Sequence, residues 1–119
     1  MAKFRFQDLD IWKVSIEVAD ELFEIANDLE KRRLYRFAEQ LRGAAMSMSN
    51  NIAEGSGSTS AKEFRQFLNF TRRSIFENAN ITIILSRQNM ITDETKEQIL
   101  NKLDHLSRQV YRFSQSLNK

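Results

Sequence analysis

The sequence predicts an all-α protein: an antiparallel, up-down-up-down four-helix bundle built as one domain over residues 1–119. Three observations carry that expectation. Proline is absent and glycine occurs only 3 times in 119 residues, so the usual punctuation is nearly missing and long helices follow. Apolar residues recur at three- and four-residue steps through four long segments, the period of a helix face. The breaks between segments are short, which sets consecutive helices side by side in opposite directions.

Helix one is expected over 9–30, after Phe4 and Phe6, with Asp8 or Asp10 as N-cap. Leu9, Trp12, Ile16, Ala19, Phe23 and Ala26 form one apolar stripe, and Ile11, Val14, Val18, Leu22, Ile25 and Leu29 a second. A surface helix needs one stripe, so two imply contact with the bundle on one side and another subunit on the other. Lys31-Arg32-Arg33 places positive charge at the C-terminal end of this acidic helix, where the dipole favours it.

Helix two, over 34–54, is unusual in its small residues. Leu41, Ala44, Ala45, Met48 and Ile52 make a slim core face that lets another backbone come close. Gly55 is expected in a left-handed C′ conformation that ends the helix, and Gly-Ser-Gly-Ser-Thr-Ser leads onward. Ser47, Asn51 and Glu54 stand among the alanines, and their polar groups need partners if buried. A hydrogen-bonded cluster fixing the turn and the start of helix three accounts for them; a small-ligand site at the turn is the competing reading.

Helix three, over 61–88, opens with the capping box Ser60-Ala61-Lys62-Glu63. Phe64, Phe67, Leu68, Thr71, Ile75, Ala79, Thr82 and Leu85 form one face, with Phe70, Ile81 and Ile84 beside it, again more apolar surface than one neighbour covers. Helix four, over 93–117, follows Thr92 as N-cap and repeats Ile99, Leu103, Leu106, Val110, Phe113 and Leu117. Its other side carries His105, Arg108, Arg112, Gln115 and Lys119, a narrow seam with a basic outer face.

Chemistry is scarce. The absence of cysteine removes disulfides, thiolate metal sites and cysteine nucleophiles. His105 is the one histidine, with no second ligand three or four residues on, and the serines have no histidine nearby as base. Glu54, Glu63 and Glu77 lack the Glu-x-x-His pairs of a di-iron bundle. The expectation is a protein without enzymatic activity, metal or cofactor. No membrane-length apolar run and no early apolar segment occur, so a cytoplasmic chain with no membrane association is expected.

Charge is uneven beneath a net +2: residues 1–30 carry −5, residues 31–73 carry +6 and residues 74–119 carry +1. Lys62, Arg65, Arg72 and Arg73 on helix three and Arg108 and Arg112 on helix four are the candidate nucleic-acid-binding residues. Pairing with Asp20, Glu21, Glu24 and Asp28 of helix one would instead make them structural. Aromatic stacking is not expected, because most phenylalanines fall on the core stripes.

Gln40 to Met48, followed by Asn51-Ile52-Ala53-Glu54-Gly55-Ser56-Gly57, resembles the signature of four-helix-bundle proteins encoded in bacterial 23S ribosomal RNA intervening sequences. Phe6 to Lys13 is similar to that family's opening motif, and Lys62-Glu63-Phe64 to Glu77 to its third-helix segment. The sequence departs from the pattern at Gly43, where arginine is frequent, at Ser49, where proline is common, and at Thr71-Arg72-Arg73-Ser74, where Ala-x-Gly-Ser is typical. The resemblance implies a bundle assembled into a ring, a homopentamer, without enzymatic activity. It also implies likeness to the accessory bundles of diversity-generating retroelements, which bind nucleic acid and a polymerase. Two functions follow: a ring that binds structured RNA, ribosomal RNA included, or a scaffold for a protein partner.

Overall fold

The computed structural model describes residues 1–117, so Lys119 lies outside the described residues. A 3-10 turn, Arg5–Asp8, precedes four helices: α1 (Asp10–Lys31), α2 (Tyr35–Ser56), α3 (Ala61–Arg87) and α4 (Asp93–Ser116). Each boundary falls within two residues of its sequence expectation, because periodicity and caps are both local signals. α1 touches α2 and α4, α2 touches α3, and α3 touches α4, so the helices close around one core. Met48, Ala44 and Ser47 of α2 meet Thr71, Asn78 and Ser74 of α3, so numbering runs in opposite senses along that seam.

The helix starts divide in two. Ser60 Oγ accepts from the Glu63 amide at 3.1 Å, and Thr92 Oγ1 accepts from the Thr95 amide at 3.1 Å, as their spacing predicts. The start of α1 departs from expectation, for its N-cap is Leu9 and neither Asp8 nor Asp10 caps it. Asp8 is taken by Lys3, 2.8 Å away, and that hydrogen-bonded ammonium holds the carboxyl below its usual pKa. Arg5 fastens the segment instead, donating to Ser56 O at 3.2 Å with its guanidinium 5.3 Å from the Phe64 ring centre.

The helix ends correct a second expectation. No glycine has positive φ, and Gly55 is a buried residue inside α2, whose C-cap is Gly57 at φ −83°. Left-handed residues end α1 and α3 instead: Arg33 at φ 65° and Asn89 at φ 59°. Each completes a Schellman motif. Leu34 donates back to Leu29 O at 2.9 Å and Arg33 to Glu30 O at 2.9 Å, while Met90 donates to Leu85 O at 2.8 Å and Asn89 to Ser86 O at 3.0 Å. Gly55 is glycine because α3 is too close for a side chain: an added Cβ would lie 2.6 Å from Phe67 Cβ and 2.9 Å from Phe64 Cδ1.

The slim face of α2 exposes its own carbonyls to α3. The fully buried Asn78 donates through Nδ2 to Ala44 O at 2.8 Å and to Ser74 O at 2.8 Å, and Thr71 Oγ1 reaches Met48 O at 3.4 Å. Larger side chains at 44 and 48's neighbours would shut those carbonyls away from α3. Around this seam the core is filled by Leu22, Leu29, Leu41, Met48, Ile52, Leu68, Ile75, Leu85, Leu103 and Leu106.

The doubled stripe of α1 is absorbed within the chain. Leu9, Trp12, Val14, Phe23 and Ile25 are half-buried flanks packed on the core, because α1 is covered from both sides by α2 and α4. On α3, Ile81 is buried, but Phe76, Ile83 and Ile84 remain exposed. Met46 of α2 and Tyr111 of α4 are exposed with them, whereas no apolar residue of the two α1 stripes is among the exposed large side chains.

Candidate nucleic-acid interface

The core face of α3 is set by Phe64, Leu68, Thr71, Ile75, Asn78, Thr82 and Leu85. Arg72, Phe76 and Ala79 fall one position off that face, on the side where α4 packs, and the seam of α4 turns Asp104, Arg108, Tyr111 and Arg112 toward the same side. Between the two helices runs a groove of about 590 Å³, floored by Ile75, Leu100 and Leu103. Its rim holds Arg72, Arg108 and Arg112 with two exposed aromatic rings, Phe76 at 64% and Tyr111 at 49% of full exposure. Arg73 adjoins it, sharing a neighbouring depression of about 470 Å³ with Asn69, Arg72 and Phe76.

The guanidinium of Arg72 lies 5.1 Å from the Tyr111 ring centre, which holds it over the groove. Its Nε is buried and has no acceptor among the described residues. Arg108 Nε donates to Asp104 Oδ2 at 3.1 Å, one helical turn away. That pair is exposed on both sides, so it aligns Arg108 while contributing little stability.

The acids of α1 do not neutralise this rim. Glu21 pairs with Lys102 at 2.6 Å and Asp28 with Arg32 at 2.9 Å, while Glu30 takes Arg42 at 2.9 Å. Glu21, Glu24 and Asp28 line a separate depression against Met90 to Ile99. Charge is thus segregated to the two flanks of α4, the α3 side basic and the α1 side acidic. With a Debye length of about 8 Å at physiological salt, an anion in the groove feels its arginines far more than those acids.

Of the six cations singled out from sequence, Arg72, Arg108 and Arg112 converge here and Arg73 stands beside them. Arg65 is engaged elsewhere, donating to Leu117 O at 2.9 Å at the end of α4. Lys62 is exposed in the first turn of α3 and does not line the groove. Phe76 and Tyr111 were not singled out. Their signal was present all the same: both fall outside the core stripes, and each lies within four residues of groove arginines.

The polar set of α2 forms a different arrangement from the expected cluster. Ser47 Oγ shares a 2.5 Å hydrogen bond with Ser74 Oγ in the middle of α3, not in its first turn. Asn51 Nδ2 turns back to Ser47 O at 2.9 Å within its own helix, and Glu54 is exposed. Asn78 and Thr71 make the buried cross-helix bonds instead. Among the described residues no group of His, Cys, Asp and Glu is placed to hold a metal ion, and no helix is long and apolar enough to cross a membrane.

A four-helix bundle with a basic, aromatic-rimmed groove between its last two helices is the class these features define. The chain belongs to the 23S rRNA-intervening sequence protein family, whose model matches residues 7–112. Its fold is shared with a crystal structure from Bacteroides thetaiotaomicron VPI-5482, a protein of unknown function from the S23 ribosomal protein family. The TM-score is 0.82 at 21% identity, over 87% of this chain and 97% of that one. No curated protein matches the sequence. Neither the family's description nor that neighbour's names an enzymatic activity.

Proposed function

We infer that this protein is a non-enzymatic, cytoplasmic, RNA-binding ring. Its subunits are antiparallel up-down-up-down bundles, and its ligand is structured RNA, ribosomal RNA included. One observation carries the reading: Arg72, Arg108 and Arg112 share an open groove that the acids of α1 leave un-neutralised. Clustered guanidinium groups suit phosphate oxygens, to which they donate in a planar fork. A chain of net +2 is weakly basic by itself, and repetition of the groove around a ring raises its affinity for a polyanion.

Met46, Ile83 and Ile84 are exposed and do not line the groove, which suits them to the subunit contact. The number five follows the family resemblance, and five copies of a 14.0 kDa chain give a mass of about 70 kDa. Light scattering joined to filter binding of a structured RNA at graded salt tests the reading. A ring-sized particle that retains RNA at low salt and releases it as salt rises is the expected result. A 14.0 kDa particle would overturn the ring. An intact ring without salt-sensitive retention would move the function to scaffolding of a protein partner.

A further inference from the structure

The groove presents aromatic faces as well as arginines, so charge is not all it offers an RNA. Phe76 is 64% exposed, more than Ile83 or Ile84 on the same helix, and Tyr111 stands across the same groove beneath the Arg72 guanidinium. A volume of about 590 Å³ lies within the roughly 300–1,000 Å³ of small-molecule sites. Beside this groove, the Nε of Arg72 is a buried donor with no acceptor among the described residues.

We propose that the α3–α4 groove takes an unpaired nucleotide of a bound RNA, its base stacked on Phe76 and its phosphate held by Arg72, Arg108 and Arg112. The proposal rests on the RNA-binding reading and adds what that reading lacks, a preference for unpaired over paired segments. Charge complementarity selects the occupant: the rim is cationic, and among the described residues its one carboxylate, Asp104, is already paired with Arg108. An A-form duplex would meet the rim with phosphates alone, because its bases are stacked inside and present no free face. An unpaired base has an exposed π-face and can fill the apolar floor while its phosphate stays at the rim. Arg72 lends the same preference, since a guanidinium already stacked on a ring keeps its N–H edge free for an acceptor.

The test compares a single-stranded RNA with a blunt-ended, fully paired RNA duplex of equal length, against the wild-type chain, Phe76→Ala and Phe76→Tyr. Phe76 is mostly in solvent, so its truncation leaves the fold intact, which the denaturation midpoint verifies. Phe76→Ala should weaken single-strand binding about tenfold, the scale of one lost base–aromatic stack. Duplex binding and the salt dependence of both RNAs should be unchanged, and Phe76→Tyr should restore single-strand affinity. A 2-aminopurine base in the single strand should be quenched by the wild-type chain and not by Phe76→Ala. Equal single-strand affinity for wild type and Phe76→Ala overturns this proposal while leaving salt-sensitive RNA binding in place. A change in particle mass with Phe76→Ala assigns the groove to a subunit contact and overturns it also. Failure of the wild-type ring to bind either RNA removes both readings.

Discussion

Replacing Gly55 by alanine adds one methyl group to α2, with its carbon built 2.6 Å from Phe67 Cβ and 2.9 Å from Phe64 Cδ1. Carbon atoms pack best at about 3.5–4.0 Å, so α3 must retreat by about 1 Å. Neither obstacle yields cheaply: Phe67 Cβ is fixed to its backbone, and the Phe64 ring is buried against the edge of Phe113, 5.6 Å between centres. Overpacking of this kind costs about 1–3 kcal/mol. The helix propensity gained over glycine returns about 1 kcal/mol, so a net loss of about 2 kcal/mol is expected from the upper end of the packing range. Gly43 supplies the control in the same helix. A Cβ there has nothing within 4 Å, so Gly43→Ala keeps the propensity gain and should stabilise the fold by about 1 kcal/mol. Urea unfolding with m of about 1–3 kcal/mol/M would lower the midpoint by about 1 M for Gly55→Ala and raise it by roughly half that for Gly43→Ala. Shifts of the same sign at the two sites would refute the close-approach account of Gly55.

Two further stability predictions follow from the helix ends. Ser60→Ala removes the acceptor for the Glu63 amide and should cost about 1 kcal/mol, read from the same denaturation midpoint. Arg33→Gly relieves a left-handed residue at φ 65° and should raise the midpoint, whereas Arg33→Val, β-branched in the same conformation, should lower it.

The four helices were legible because each is written in local terms. Ser60 and Thr92 act through amides three residues away, and apolar periodicity survives any arrangement of neighbours. Gly55 was legible as a special position but not for its reason. A turn-forming glycine and a close-approach glycine look alike in sequence, and only the placement of Phe64 and Phe67 separates them. The chain reversals at Arg33 and Asn89 carried no glycine to announce them. Asn78 gave no sign of its role, since its bond to Ala44 O depends on how closely α3 approaches α2.

The candidate interface was legible in part. Cations at helical spacing on α3 and α4 could be named, but whether they met each other or the acids of α1 depended on the order of helices around the core. Arg65 illustrates the difficulty: its spacing resembles that of Arg72, yet its guanidinium serves the last turn of α4 through Leu117 O. Phe76 lies off the core stripes in the sequence, but an aromatic side chain on an amphipathic helix is ordinarily core, and its 64% exposure is what separates it from the other phenylalanines of α3.

The central claim is that the basic rim of the α3–α4 groove binds RNA phosphates. It is tested most directly by the salt dependence of affinity for a structured RNA, measured for the wild-type chain and for Arg112→Glu, an exposed position on that rim. The account predicts a linear fall of log affinity with log salt for the wild type and weaker binding with a shallower slope for the variant, by about one phosphate contact per groove. Identical affinity and slope for the two proteins, with particle mass unchanged, would contradict it.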